Sequence, residues 1–109
     1  MDVVKRIACA AACLISLTAN AADFPTKPVR LIVPYPPGGG NDAISRLLAP
    51  KFAESTGQQL IVDNRPGAGS TIGAEIVAKS PPDGYTLFLG SISNAISAAL
   101  YPKLNFDIV

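Results

Sequence analysis

A nearly unbroken apolar run, Val29-Arg30-Leu31-Ile32-Val33, leads through Pro34 into Tyr35-Pro36-Pro37-Gly38-Gly39-Gly40-Asn41-Asp42. A segment with helical spacing, Ile44, Leu47, Leu48 and Phe52, follows. The layout is strand, glycine turn, helix. Three consecutive glycines remove every Cβ where the backbone turns, so positive φ costs little and a ligand can come close to the amides. Asn41 and Asp42 are both good helix caps. The first N–H groups of a helix lack internal partners, and the helix dipole makes that end attractive to anions. The turn therefore reads either as a seat for a carboxylate or phosphate, or as a tight turn with a cap. It is not a nucleotide P-loop, because no Gly-Lys-Ser/Thr follows at the required spacing.

The same layout recurs along the chain. Pro25 and Pro28 keep the lead-in extended, and Val29–Val33, apolar apart from Arg30, reads as a strand buried on both faces, as in a parallel sheet. A first helix is expected from about Asp42 to Ser55, ending near Gly57. Pro50 falls inside it and predicts a kink or a split into two short helices. Gln59–Asp63 reads as a second strand, Asn64-Arg65-Pro66-Gly67-Ala68-Gly69 as a second turn, and about Ser70–Lys79 as a second helix with Ile72, Ile76 and Val77 on one face. Pro81-Pro82-Asp83-Gly84 ends it. Tyr85–Leu89 is the third strand, Gly90-Ser91-Ile92-Ser93-Asn94 a third polar turn, and a short helix runs to about Leu100.

The order βαβαβα predicts an α/β fold in which the crossovers make the strands parallel. All three strand-to-helix turns then open at the same carboxyl edge and converge in space. The helix-to-strand turns at Gly57 and Asp83-Gly84 belong at the other edge, with a structural role.

The first 21 residues have the pattern of a secretion signal: Lys5 and Arg6, the apolar stretch Ile7 to Leu17, and the small residues Ala19-Asn20-Ala21. The expected division is a signal over 1–21 and a mature segment over 22–109. The mature segment holds seven basic and seven acidic residues, which gives no support to nucleic-acid binding. Cys9 and Cys13 both lie inside the signal, so no disulfide is expected afterwards.

Enzyme chemistry has little to work with. The chain has no histidine, so no Ser-His or Cys-His pair is possible. Asp42 is the only carboxylate in the first turn, the third turn lacks the last glycine of a nucleophile elbow, and metal ligands of the His/Cys type are absent. Gly67-Ala68-Gly69-Ser70-Thr71-Ile72-Gly73 matches a dinucleotide fingerprint only loosely, being one residue too long. Its alternative reading is small residues that let a helix pack closely on the sheet. Arg65 is placed to clamp a carboxylate, to pair with Asp63 or Asp42, or to cap carbonyls. Ser91, Ser93 and Asn94 offer hydroxyl and amide donors, or cap the last helix.

Four stretches together carry a resemblance. Val33-Pro34-Tyr35-Pro36-Pro37-Gly38-Gly39-Gly40-Asn41-Asp42 resembles the first signature of the Bug receptors, the periplasmic solute-binding proteins of tripartite tricarboxylate transporters. Asp63-Asn64-Arg65-Pro66-Gly67-Ala68-Gly69 resembles the second. Pro82-Asp83-Gly84-Tyr85-Thr86-Leu87 and Leu100-Tyr101-Pro102-Lys103-Leu104 resemble the third and fourth. The resemblance implies the parallel-sheet part of the first lobe of a type II periplasmic-binding-protein-like fold, which closes around a small organic carboxylate and delivers it to membrane subunits. It implies a periplasmic location, no cofactor and no enzyme activity. On the matching positions, ligand contacts would come from Pro37, Gly38, Gly39, Gly40, Asn41 and Asp42, from Ala68, Gly69 and Ser70, and from Ser91, Ser93 and Asn94. Bug receptors are considerably longer, so residues 22–109 are expected to be an incomplete N-terminal lobe. The competing readings are a nucleotide-dependent enzyme domain built on Gly67–Gly73 and a non-functional gene remnant.

Overall fold

Strand β1, Val29–Val33, is the centre of a three-stranded sheet in the computed structural model, which describes residues 2–5 and 23–100. The cleavage site of the expected signal, both cysteines and residues 101–104 of the fourth signature lie outside the described residues. The elements that follow β1 are α1 (Gly40–Thr56), β2 (Leu60–Asn64), a 3-10 turn (Ala68–Ser70), α2 (Thr71–Ala78), β3 (Thr86–Phe88) and α3 (Ile92–Leu100). The strand order is β2-β1-β3, and both pairings are parallel. Val29 stands opposite Leu60 and Val33 opposite Asn64; on the other side Arg30 stands opposite Thr86 and Ile32 opposite Phe88. The expected α/β order and parallel sheet are therefore observed.

Burial explains why β1 takes the middle. Val29, Leu31 and Val33 point to one face and form a core with Leu60, onto which Ala49 and Phe52 of α1 pack. Ile32 points to the other face and is fully buried. Helix α2 packs against β1 and β3. It does so through small residues: Gly73 and Ala74 are buried, whereas Ile72 is exposed and Ile76 and Val77 are half-buried. The face expected from Ile72, Ile76 and Val77 is thus rotated. A Cβ built on Gly73 would lie 2.9 Å from Pro34 Cβ and 3.2 Å from the Arg65 carbonyl oxygen, so close approach to the backbone decides the orientation.

Helix α1 departs from expectation in three ways. It starts at Gly40 with Gly39 as its N-cap, and no side chain caps it. Asn41 and Asp42 lie inside the first turn instead, because glycines allow the chain to enter the helix early. The helix is also not split at Pro50 but runs through it to Thr56. Pro50 cannot donate to the carbonyl of Arg46, which belongs to an exposed residue. Finally, α1 buries Asp42 and Ser45 and exposes Ile44, Leu47 and Leu48, with Leu47 74% exposed. Its first half lies beside the polar end of the sheet, and only Ala49 and Phe52 reach the apolar part. Gly57 ends the helix as expected, with φ of 73° and its N–H donated to the Ala53 carbonyl at 2.9 Å.

The far edge of the sheet is tied by aromatic contacts. Phe24 stacks obliquely on Tyr85 with centroids 5.0 Å apart, and Lys27 Nζ lies 4.5 Å from the Tyr85 ring centre. Gly84, at φ of 82°, leaves room for the Phe24 ring.

Two substitutions separate these causes. Gly73→Ala gains about 1 kcal/mol of helix propensity but drives a methyl group into backbone, which costs typically 1–3 kcal/mol; net destabilisation is expected in urea unfolding. Pro50→Ala restores a donor worth about 3 kcal/mol in a helix interior, less about 0.4–1 kcal/mol of added chain entropy when unfolded. It should raise the unfolding midpoint.

Candidate functional site

The carboxyl ends of the three strands bring three turns together. The first, Tyr35 to Gly39, follows β1. Gly38, at φ of 92°, sets the bend, and Pro37, Gly38, Gly39 and Gly40 are exposed. The amides of Gly40, Asn41 and Asp42 begin the helix and have no helical carbonyl to reach. Asp42 is buried at 4% exposure. Its Oδ2 accepts bonds from the Gly38 N–H at 2.9 Å and from Arg46 Nε at 2.9 Å, and its Oδ1 accepts one from Asn64 Nδ2 at 3.1 Å. Asn64 Nδ2 also reaches the Tyr35 carbonyl at 3.1 Å. The end of β2 is thereby fastened to the start of α1. The Arg46 bond, then the Gly38 and Asn64 bonds, hold the Asp42 pKa down at about 2.

The second turn is bent by a run of positive φ at Gly67, Ala68, Gly69 and Ser70. Two of these are not glycine, and each costs roughly 1–2 kcal/mol in the left-handed region. Ala68 and Gly69 are exposed, whereas Ser70 is buried. The strain is held by bonds from helix α3: Asn94 Nδ2 donates to Ser70 Oγ at 2.9 Å and Ser97 Oγ to the Gly69 carbonyl at 3.0 Å. Asn94 Oδ1 accepts the Ser91 N–H at 3.0 Å, so Asn94 caps α3 and ties two turns at once.

The first and third turns meet through hydroxyls. Tyr35 Oη is hydrogen-bonded to Ser91 Oγ, and to Ser93 Oγ at 2.5 Å, while the two serine hydroxyls are 2.9 Å apart. Burial acts to raise the Tyr35 pKa, but the hydroxyls of Ser91, Ser93 and Ser70 outweigh it and hold it below the ordinary phenol value. Such a ring of small donors suits an oxygen-rich guest. Arg65 Nε pairs with Asp63 Oδ1 at 3.0 Å, and Arg30 pairs with Asp63 from the other side. Burial acts to raise the Asp63 pKa, and these two arginines pull it below the ordinary value. The structure therefore realises the structural alternative for Arg65.

All twelve sequence-derived site residues lie on this one rim. Pro37, Gly38, Gly39, Gly40, Ala68 and Gly69 present exposed backbone, and Asn41, Ser91 and Ser93 are half-buried. Asp42, Ser70 and Asn94 are buried, with side chains bonded to other parts of the rim. Sequence reading missed Tyr35, Asn64, Arg46 and Ser97. Tyr35 and Asn64 stood inside the quoted signatures, but nothing in their spacing shows that they bridge turns. The small residues at Gly67–Gly73 serve packing at Gly73. Among the described residues no cluster of His, Cys, Asp and Glu can hold a metal, and no helix is long and apolar enough to cross a membrane.

Comparison with known proteins gives this geometry a context. The family model for the "Tripartite tricarboxylate transporter family receptor" matches residues 44–109. Protein BugT of Bordetella pertussis is 41% identical over 97 residues, which is 87% of this chain and 30% of BugT. MatC from Rhodopseudomonas palustris, solved with bound malate, is 38% identical with a TM-score of 0.70, over 76% of this chain and 29% of that one. R. palustris Rpa4515, solved with adipate, is 46% identical with a TM-score of 0.61, over 62% of this chain and 23% of that one. The chain thus spans less than a third of the length of these relatives.

Removing the turn-bridging amide tests the rim. Asn94→Ala leaves the buried Ser70 hydroxyl without its donor and uncaps α3. The Ser70 hydroxyl keeps its bond to the Gly69 carbonyl, so the expected loss is about 1–2 kcal/mol, combining one lost hydrogen bond with a lost cap, read by urea unfolding. For Asp42 the folded pKa lies below the unfolded value of about 3.9. Its contribution is complete above about pH 4 and is lost as pH falls towards about 2. Acid unfolding of Asp42→Asn should accordingly be less steep across that window.

Proposed function

As the chain belongs to the tripartite tricarboxylate transporter receptor family, we propose that it forms part of the first lobe of a periplasmic solute-binding receptor for a small organic carboxylate. Residues 22–109 are the mature part in this reading and 1–21 the secretion signal. The observation that carries it is the hydrogen-bonded convergence of three strand-to-helix turns on one rim. The guest carboxylate is received by the amides of Gly39 to Asn41, by the Ala68-Gly69 backbone, and by the Ser91 and Ser93 hydroxyls. Malate in MatC and adipate in Rpa4515 support a dicarboxylate as the ligand class. Membrane subunits of a tripartite transporter take the ligand onward in this reading.

Magnitudes limit what this rim does alone. Two or three charge-assisted bonds contribute roughly 1.5–3 kcal/mol each, and immobilising a ligand costs about 4–15 kcal/mol. A dissociation constant in the millimolar range corresponds to about 4 kcal/mol and is the expected ceiling. NMR titration of the labelled chain with malate should give saturable shifts at the amides of Gly39, Gly40, Asn41, Gly69 and Ser93. Micromolar affinity by calorimetry would contradict the energetics, and unmoved amides would contradict the site.

A further inference from the structure

We propose that Asp42 is a positioning residue of the carboxylate site: a built-in anion that fixes the triple-glycine turn, with Arg46 cancelling its charge and Asn64 donating to it so that an anionic guest is tolerated beside it. The inference rests on the receptor reading for the guest, and on geometry alone for the turn. A carboxylate in the floor of an anion site is at first sight a contradiction, because like charges repel more strongly as water is excluded. Here the carboxylate is buried and every close partner is a donor. The Gly38 amide and Arg46 Nε share Oδ2, and Asn64 Nδ2 takes Oδ1. Gly38, Gly39 and Gly40 have no side chains, and a Cβ built on Gly38 or Gly40 would meet nothing within 4 Å. Their neighbours do not wedge the turn in place. The Asp42 carboxylate, reaching back four residues, supplies the missing restraint.

The bond also sorts the donors. Gly38 N–H is spent on Asp42, while the amides of Gly40 and Asn41 remain at the helix start for an outside oxygen. Arg46 has a second role, since its Nη2 lies 3.4 Å from Asn64 Oδ1. It spans Asp42 and the residue that joins β2 to Tyr35. The pair contributes no net charge, which leaves the helix dipole to act on the guest.

The test has two arms on the full chain. In the first, amide exchange is followed by NMR without ligand. Asp42→Ala should lower Gly38 protection about tenfold, the worth of one charge-assisted bond, with the Ile32 amide unchanged. Asp42→Asn, which keeps one acceptor oxygen, should restore part of it. Unchanged Gly38 protection in Asp42→Ala overturns the proposal. In the second arm, malate is titrated into Arg46→Gln. Affinity should fall several-fold at low salt, and the difference should shrink at 0.5 M salt, roughly where screening acts within a few ångström. An affinity equal to that of the unmutated chain overturns the charge-cancelling role. An unmutated chain that ignores malate contradicts the receptor reading instead, and the exchange arm still decides the turn.

Discussion

Strand β1 is hydrogen-bonded on both sides and buried on both faces, and the placing of all three turns depends on that position. Because β2 and β3 run parallel to it, the chain must leave each strand at the same edge. The Arg65 N–H bonds to the Val33 carbonyl and the Leu89 N–H to the Ile32 carbonyl, so second and third turns are both anchored to the last residues of β1. Convergence of the polar turns is therefore a result of strand pairing, reinforced afterwards by side chains. No single turn has to be a binding site in its own right.

Much of this was legible in the sequence. The apolar run at β1, the alternation of strand and helix, and the glycine at each bend were enough to place the three turns on one edge. Twelve residues chosen without a structure all fall there. The less legible part concerns side chains that work across the fold. Asp42 reads as a cap because caps are local, yet its acceptors serve Gly38, Arg46 and Asn64. Asn94 reads as a cap or a ligand donor, and it is a cap that also holds Ser70. Helical periodicity misplaced the buried face of α1, because it assumes that apolar residues point inward. In α1 the inward positions at the start of the helix are Asp42 and Ser45, where the neighbours are polar turns.

The same inversion occurs in α3, which buries Asn94 and Ser97 and exposes Ile92, Ile96 and Leu100, with Ile92 79% exposed. A helix whose sticky stripe faces outward does not stabilise a small domain, and it makes contacts with other surfaces favourable. What keeps α3 in place is the specific hydrogen bonding of its first turns. Order in this region comes from geometry-dependent polar contacts on a scaffold whose non-directional apolar contacts lie elsewhere.

The aromatic latch at the opposite edge gives the sheet two chemically distinct ends. Phe24, Tyr85 and Lys27 close one end mainly through ring packing and cation–ring attraction, with Thr26 bonded to the Tyr85 hydroxyl. The rim at the other end is built from directional bonds among glycines, serines and amides. Sequence drift at the latch can consequently adjust how firmly the sheet holds without reshaping the rim, and exchanges among the rim's small polar residues leave the latch in place. Each end of the sheet is thus free to change its chemistry without the other giving way.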